Sequence, residues 1–139
     1  MSWFYERGHL IDENAWRVSK DKEFYNLPGR DYNKCIDEYM RKTGAPKSVA
    51  QQAIGAQYKT VRKHSGVSDI LQGVSKKVMG IAGHDNDYFK TNDIVTAEAF
   101  AHMFEAQFDD IRYKEVKKYF PDSLAYFEGA SSWLVLKAF

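Results

Sequence analysis

The chain holds one cysteine, Cys35, among 139 residues. An internal disulfide and any cysteine-based zinc cluster are therefore excluded, and Cys35, inside a helical stretch, reads as a small packing residue. An excess of either charge is also missing. With 20 Lys and Arg against 19 Asp and Glu, the whole chain makes no electrostatic case for nucleic acid or an anionic membrane. The local cluster Lys59, Arg62, Lys63 and His64 reads as a solvated helix end, where cations oppose the negative pole of the helix dipole. No apolar run is long enough to cross a bilayer, and Glu6 and Arg7 interrupt the N-terminus before a signal-like hydrophobic region develops. Internal repeats and low-complexity tracts are absent too.

What is present points to one folded domain spanning residues 1–139, since that length suits a single core. Aromatic residues make up 15% of the chain, which supplies the apolar surface that disordered chains lack. Phe4, Gly8, Ile11, Ala15 and Val18 form the apolar stripe of an amphipathic helix over about 3–18. Asn26-Leu27-Pro28-Gly29 reads as a loop or turn, followed by a helix through Tyr32, Ile36, Tyr39 and Met40 that ends near Thr43-Gly44. Pro46 opens a third helix that continues through Ala50, Ile54, Tyr58 and Val61 to about His64. Asp93 or Thr96 caps a helix whose core stripe is Ala97, Phe100, Ala101, Phe104 and Phe108, with Glu98, His102 and Glu105 on another face. Residues 110–119 add a short helix, and 122–136 a last one after Pro121.

Between Val67 and Lys90 the pattern changes. Glycines at 73, 80 and 83 interrupt the apolar residues, which predicts turns around one or two short strands. The expected class is therefore α+β, mainly α, with a short two-stranded β element near residues 74–90.

Two segments carry chemistry. With histidine in place of Tyr5, the stretch Tyr5-Glu6-Arg7-Gly8-His9 would read His-Glu-x-Gly-His, in which two imidazoles one helical turn apart grip zinc and the glutamate activates its water. Glu98-Ala99-Phe100-Ala101-His102-Met103-Phe104-Glu105 offers a later helical glutamate of the kind that completes such a site, or else an exposed glutamate in the first turn of a helix.

Five segments in the same order carry a resemblance. They are Glu6-Arg7-Gly8-His9 with Asp12, Ser68-Asp69-Ile70 with Gly73, Gly83-His84 with Tyr88, Glu98 through Glu105, and Lys118-Tyr119-Phe120-Pro121. Together, over about residues 3–127, they resemble the metallopeptidase-type (zincin) domains at the C-terminal ends of phage minor head proteins and in related toxins. They are more distantly similar to the catalytic domain of anthrax lethal factor. The resemblance implies that His9 and Glu98 are zinc ligands, that Glu6 is the general base and that Tyr88 hydrogen-bonds the oxyanion. His84 and His102 would support these residues, His84 by ordering its turn or replacing a ligand and His102 by holding Glu98. The alternatives are a core tyrosine at 88 and a plain surface histidine at 102.

Tyr5 departs from the pattern, because a neutral phenol with a pKa near 10 is a poor zinc ligand beside imidazole. The strands that precede this helix in zinc peptidases also have no counterpart in the sequence. The expectation is a catalytically inactive, zinc-peptidase-like domain of phage or prophage origin, cytoplasmic in the host or virion-associated, without stoichiometric zinc. It would serve a structural or binding role through a protein partner or self-association. Two alternatives remain: an active zinc peptidase in which another group replaces the lost ligand, and an interaction module of a phage head or toxin assembly.

Overall fold

The computed structural model describes residues 3–11, 22–56, 65–75 and 92–138. Among these residues there are seven helices and no strand: α1 (Trp3–Ile11), α2 (Lys22–Thr43), α3 (Lys47–Ala56), α4 (Ser65–Ser75), α5 (Asn92–Ala106), α6 (Asp110–Tyr119) and α7 (Pro121–Ala138).

The arrangement is built around α5. Ala99, Phe100, Ala101 and Met103 are all fully buried, and α1, α2, α4, α6 and α7 each pack against this helix. A helix that is apolar on nearly every side has to lie inside, because no orientation gives it a solvent face. One continuous core joins Phe24, Tyr32 and Ile36 of α2 to Ile54 of α3, Ile70 and Leu71 of α4, Phe100 and Met103 of α5, and Leu124 and Phe127 of α7. Phe100 and Phe127 meet edge to face, with ring centroids 5.0 Å apart, the geometry that sets a positive ring edge against a negative ring face.

The helix ends follow local chemistry. Asp109 caps α6 by accepting from the Ile111 and Arg112 amides at 3.0 and 3.2 Å, which satisfies donors that have no partner within the helix. Gly44, at φ 71°, closes α2 and donates its amide to the Met40 carbonyl, a left-handed position that glycine adopts without a Cβ penalty. The first turn of α7 is capped from a distant helix. The buried carboxylate of Asp31 on α2 accepts from the Ser123 amide at 2.8 Å and its hydroxyl at 2.7 Å, and from the Asp122 amide at 3.3 Å.

Three expectations need correction. The fold class is all-α rather than α+β. Val67 to Gly73, expected to lead into strands, lies in α4, and Val74 and Ser75 of the expected β element close that helix, while 76–90 fall outside the described residues. The physical reason is spacing. Val67, Ile70 and Leu71, with Val74 at the edge of the core, recur at helical intervals, and burying that face outweighs the roughly 1 kcal/mol that Gly73 costs a helix.

The loop expected at Asn26-Leu27-Pro28-Gly29 is the interior of α2. Phe24, Pro28, Tyr32 and Ile36 are buried at steps of four, so one apolar stripe runs through the proline. Phe24 also stacks on Tyr126 of α7 at 5.9 Å. Pro28 lacks the amide that would bond the Phe24 carbonyl, and packing holds the helix together across that gap.

The α5 helix begins at Asn92, which places Thr96 inside it, fully buried, and Phe108 lies beyond its end, 44% exposed. Helices expected over 3–18 and 46–64 are described as Trp3–Ile11 and Lys47–Ala56, with their remaining residues outside the described set. The helices expected at 110–119 and 122–136 appear as Asp110–Tyr119 and Pro121–Ala138.

Candidate functional site

The site begins with a close helix crossing. A Cβ on Gly8 of α1 would stand 3.0 Å from the Ala101 Cα, 3.0 Å from the Phe104 Cβ and 3.1 Å from the Ala101 carbonyl oxygen. Only glycine allows the two backbones to approach this closely. The crossing brings Tyr5 and His9, one turn apart on α1, over Glu98 on α5. The Tyr5 hydroxyl donates to Glu98 Oε2, and His9 Nε2 lies 3.1 Å from Glu98 Oε1. Tyr5 and Glu98 are buried, while the His9 side chain keeps 25% of its surface exposed.

One turn further along α5, His102 occupies the centre of a buried ionic cluster. Its Nε2 is 2.9 Å from Asp69 Oδ2 on α4 and 3.6 Å from Glu98 Oε2, and its Nδ1 is 3.4 Å from Glu105 Oε1. Arg112 on α6 donates to the same Glu105 oxygen at 2.6 Å. The Tyr5 ring lies against the imidazole, with centroids 4.5 Å apart. Four helices, α1, α4, α5 and α6, thus meet through charged and polar side chains at one point in the interior.

The protonation states follow from these neighbours. Burial alone is the largest influence on His102 and would strip its proton. Hydrogen bonds to Asp69, Glu105 and Glu98, with the charge of Asp69, outweigh it and push the imidazole up to about 10. His102 is therefore an imidazolium at neutral pH, donating from both ring nitrogens. Burial is also the largest influence on Glu98 and acts to raise it. The hydrogen bonds from His102 and His9, the charge of His102 and the hydroxyl of Tyr5 together hold this carboxyl well below the usual range.

The same groups have the composition of a metal site. Asp69, Glu98 and His102 each present one ligand atom within 4.8 Å of the others, and all three are buried. Tetrahedral bonds of about 2.1 Å to zinc place ligand atoms about 3.4 Å apart. The contacts of His102 with Asp69 at 2.9 Å and Glu98 at 3.6 Å, and of His9 with Glu98 at 3.1 Å, bracket that spacing. A buried carboxylate pair with imidazole nitrogen suits a divalent ion, so this triad can hold one when His102 gives up its proton to bind it. Space is limited: a cavity of about 10 Å³ beside His102, bordered by Gly66, Val67, Glu105 and Arg112, holds no more than about one water.

The structure brings His9, Glu98, Tyr5 and His102 together. Glu6, expected to activate water, is exposed on α1. His84 and Tyr88 lie outside the described residues. His102 is an interior residue, so the surface alternative fails. Asp69, Glu105 and Arg112 had no assigned role in the sequence. The available signal was Glu98, His102 and Glu105 at positions i, i+4 and i+7 of a helix otherwise apolar all round, since a polar stripe there has to find partners on neighbouring helices. Comparison with protein-family models, curated proteins and solved structures finds no match.

Proposed function

We propose that this chain is a degenerate, zinc-peptidase-like helical domain of phage or prophage kind, whose former metal chemistry has given way to a structural and binding role. The observation that carries the reading is Tyr5. It stands where the first imidazole of a zinc motif would be, and its hydroxyl donates to the carboxylate that would otherwise bind the ion. Glu6, the remaining catalytic candidate on α1, faces solvent. A protonated His102 meanwhile supplies positive charge to Asp69, Glu98 and Glu105.

If zinc binds, Asp69, Glu98 and His102 would hold it, with His9 at the other Glu98 oxygen. The ion would supply a polarised, acidified water. That is the second reading, an active peptidase with substitute ligands, and the buried triad is the specific observation in its favour. No helix among the described residues is long and apolar enough to cross a membrane.

Elemental analysis after dialysis and hydrolysis of a quenched-fluorescent peptide library, with and without added zinc, separate the two readings. The expected result is zinc well below one per chain and no hydrolysis. About one zinc per chain, with hydrolysis that Glu6→Gln abolishes, would establish the second reading instead.

A further inference from the structure

The outer face of α1 carries a pattern that the buried site does not use. Trp3 and Leu10 are 63% and 51% exposed, and Glu6 and Arg7 between them are exposed as well. At 100° per residue these four positions form one narrow stripe, opposite the Tyr5, Gly8 and His9 face that packs on α5. The stripe is apolar at its ends, acidic and basic at its centre. Read from either end it has the same spacing. Turning the helix end over end about a point between Glu6 and Arg7 exchanges Trp3 with Leu10 and Glu6 with Arg7.

That is the requirement for an isologous interface, in which residue i meets residue j and j meets i across a twofold axis. We infer that α1 pairs antiparallel with α1 of a second copy of this chain, setting Trp3 against Leu10 and Glu6 against Arg7 twice over. The Arg7 guanidinium already lies 4.7 Å over the Trp3 ring, which restrains the cation on this face and limits the side-chain entropy lost on pairing. The apolar surface continues past the helix. Trp3 meets Phe4 edge to face at 5.0 Å, and Phe4 stacks on the 44%-exposed Phe108 at 4.1 Å. A single-helix contact with this flank is small by the standard of stable complexes, so the pairing is weak and concentration-dependent.

The inference deepens the binding role proposed above and rests on it. Its readout is mass, whereas zinc content and peptide hydrolysis decide the parent reading. Sedimentation equilibrium over micromolar to near-millimolar concentrations should show a monomer–dimer equilibrium. Glu6→Arg alone and Arg7→Glu alone should each weaken it at least tenfold, because each sets like charges together at both contacts. The double variant Glu6→Arg/Arg7→Glu should recover dimerisation, and a mixture of the two single variants should form a heterodimer. Both substituted positions are exposed, and circular dichroism of each variant serves as the control that it is folded. A monomer at every concentration, or a dimer indifferent to both single reversals, would overturn the inference; in the first case the stripe faces a different partner.

Discussion

The hydroxyl of Tyr5 donates to the buried carboxylate of Glu98, joining α1 to α5 through a charge-assisted hydrogen bond. A hydrogen bond to an ionised group in a water-poor interior is worth more than a neutral one, and its loss leaves the charge less well satisfied. Tyr5→Phe keeps the ring and removes only the donor. It should destabilise the fold by about 1–3 kcal/mol in urea denaturation. A change within a few tenths of a kcal/mol would mean that Glu98 is held adequately by histidine alone.

Tyr5→His should raise zinc affinity more than any other single change. The third nitrogen arrives on a helix already held against Glu98, beside a His9 already 3.1 Å from that carboxylate, so the new bond forms without reorganising the site. Calorimetric titration should show tighter zinc binding than wild type, and zinc should raise the melting temperature of the variant by mass action. Equal affinities and no zinc-dependent shift would show that the two helices are not preset for a metal.

Stability should fall on both sides of a mildly acidic plateau. His102, raised from 6.5 to about 10 by Asp69, Glu105 and Glu98 against its burial, contributes stability that is complete below pH 6.5 and disappears as pH climbs through 10. Glu98 is lowered from 4.5 by His102, His9 and Tyr5 against its burial, so its contribution is complete above pH 4.5 and disappears as acid protonates it. Chemical denaturation from pH 3 to 10 checks both limbs. In His102→Gln the decline between 6.5 and 10 should flatten, and an unchanged alkaline limb would assign it to other groups.

Gly8→Ala should destabilise the protein although alanine is the better helix former. The methyl group would meet Ala101 backbone atoms at 3.0 and 3.1 Å, and a buried backbone cannot turn aside as a long side chain can. Overpacking of this kind costs about 1–3 kcal/mol, against a propensity gain of about 1 kcal/mol. A stabilised variant would show that α1 shifts freely on α5.

How much of this was readable in advance depended on whether the information was local. The α6 and α7 segments were legible from periodicity and from Pro121, because their boundaries are set by neighbouring residues. The extent of α2 was not, since Pro28 is a strong local breaker and only the burial of Phe24, Tyr32 and Ile36 across the chain keeps the helix continuous. The α4 helix was misread for the same reason: Gly73 suggests a turn until Ile70 and Leu71 are seen to be fully buried. Within the site, Glu98 and His102 shared a legible face, whereas Asp69 and Arg112 reach it from α4 and α6, and no spacing along the chain reveals that convergence.

The capping of α7 by Asp31 sets an order of assembly. The Asp31 carboxylate and the amides it receives are separated by 92 residues for Ser123, so the first turn of α7 cannot be completed until the chain has closed a loop of that size. Closure on this scale costs about 4 kcal/mol of chain entropy beyond its constant part. The local turns of α2 and α7 need no such closure, so the junction between them is expected to form late. Loss of the carboxylate should therefore act mainly on unfolding, with little effect on the folding rate.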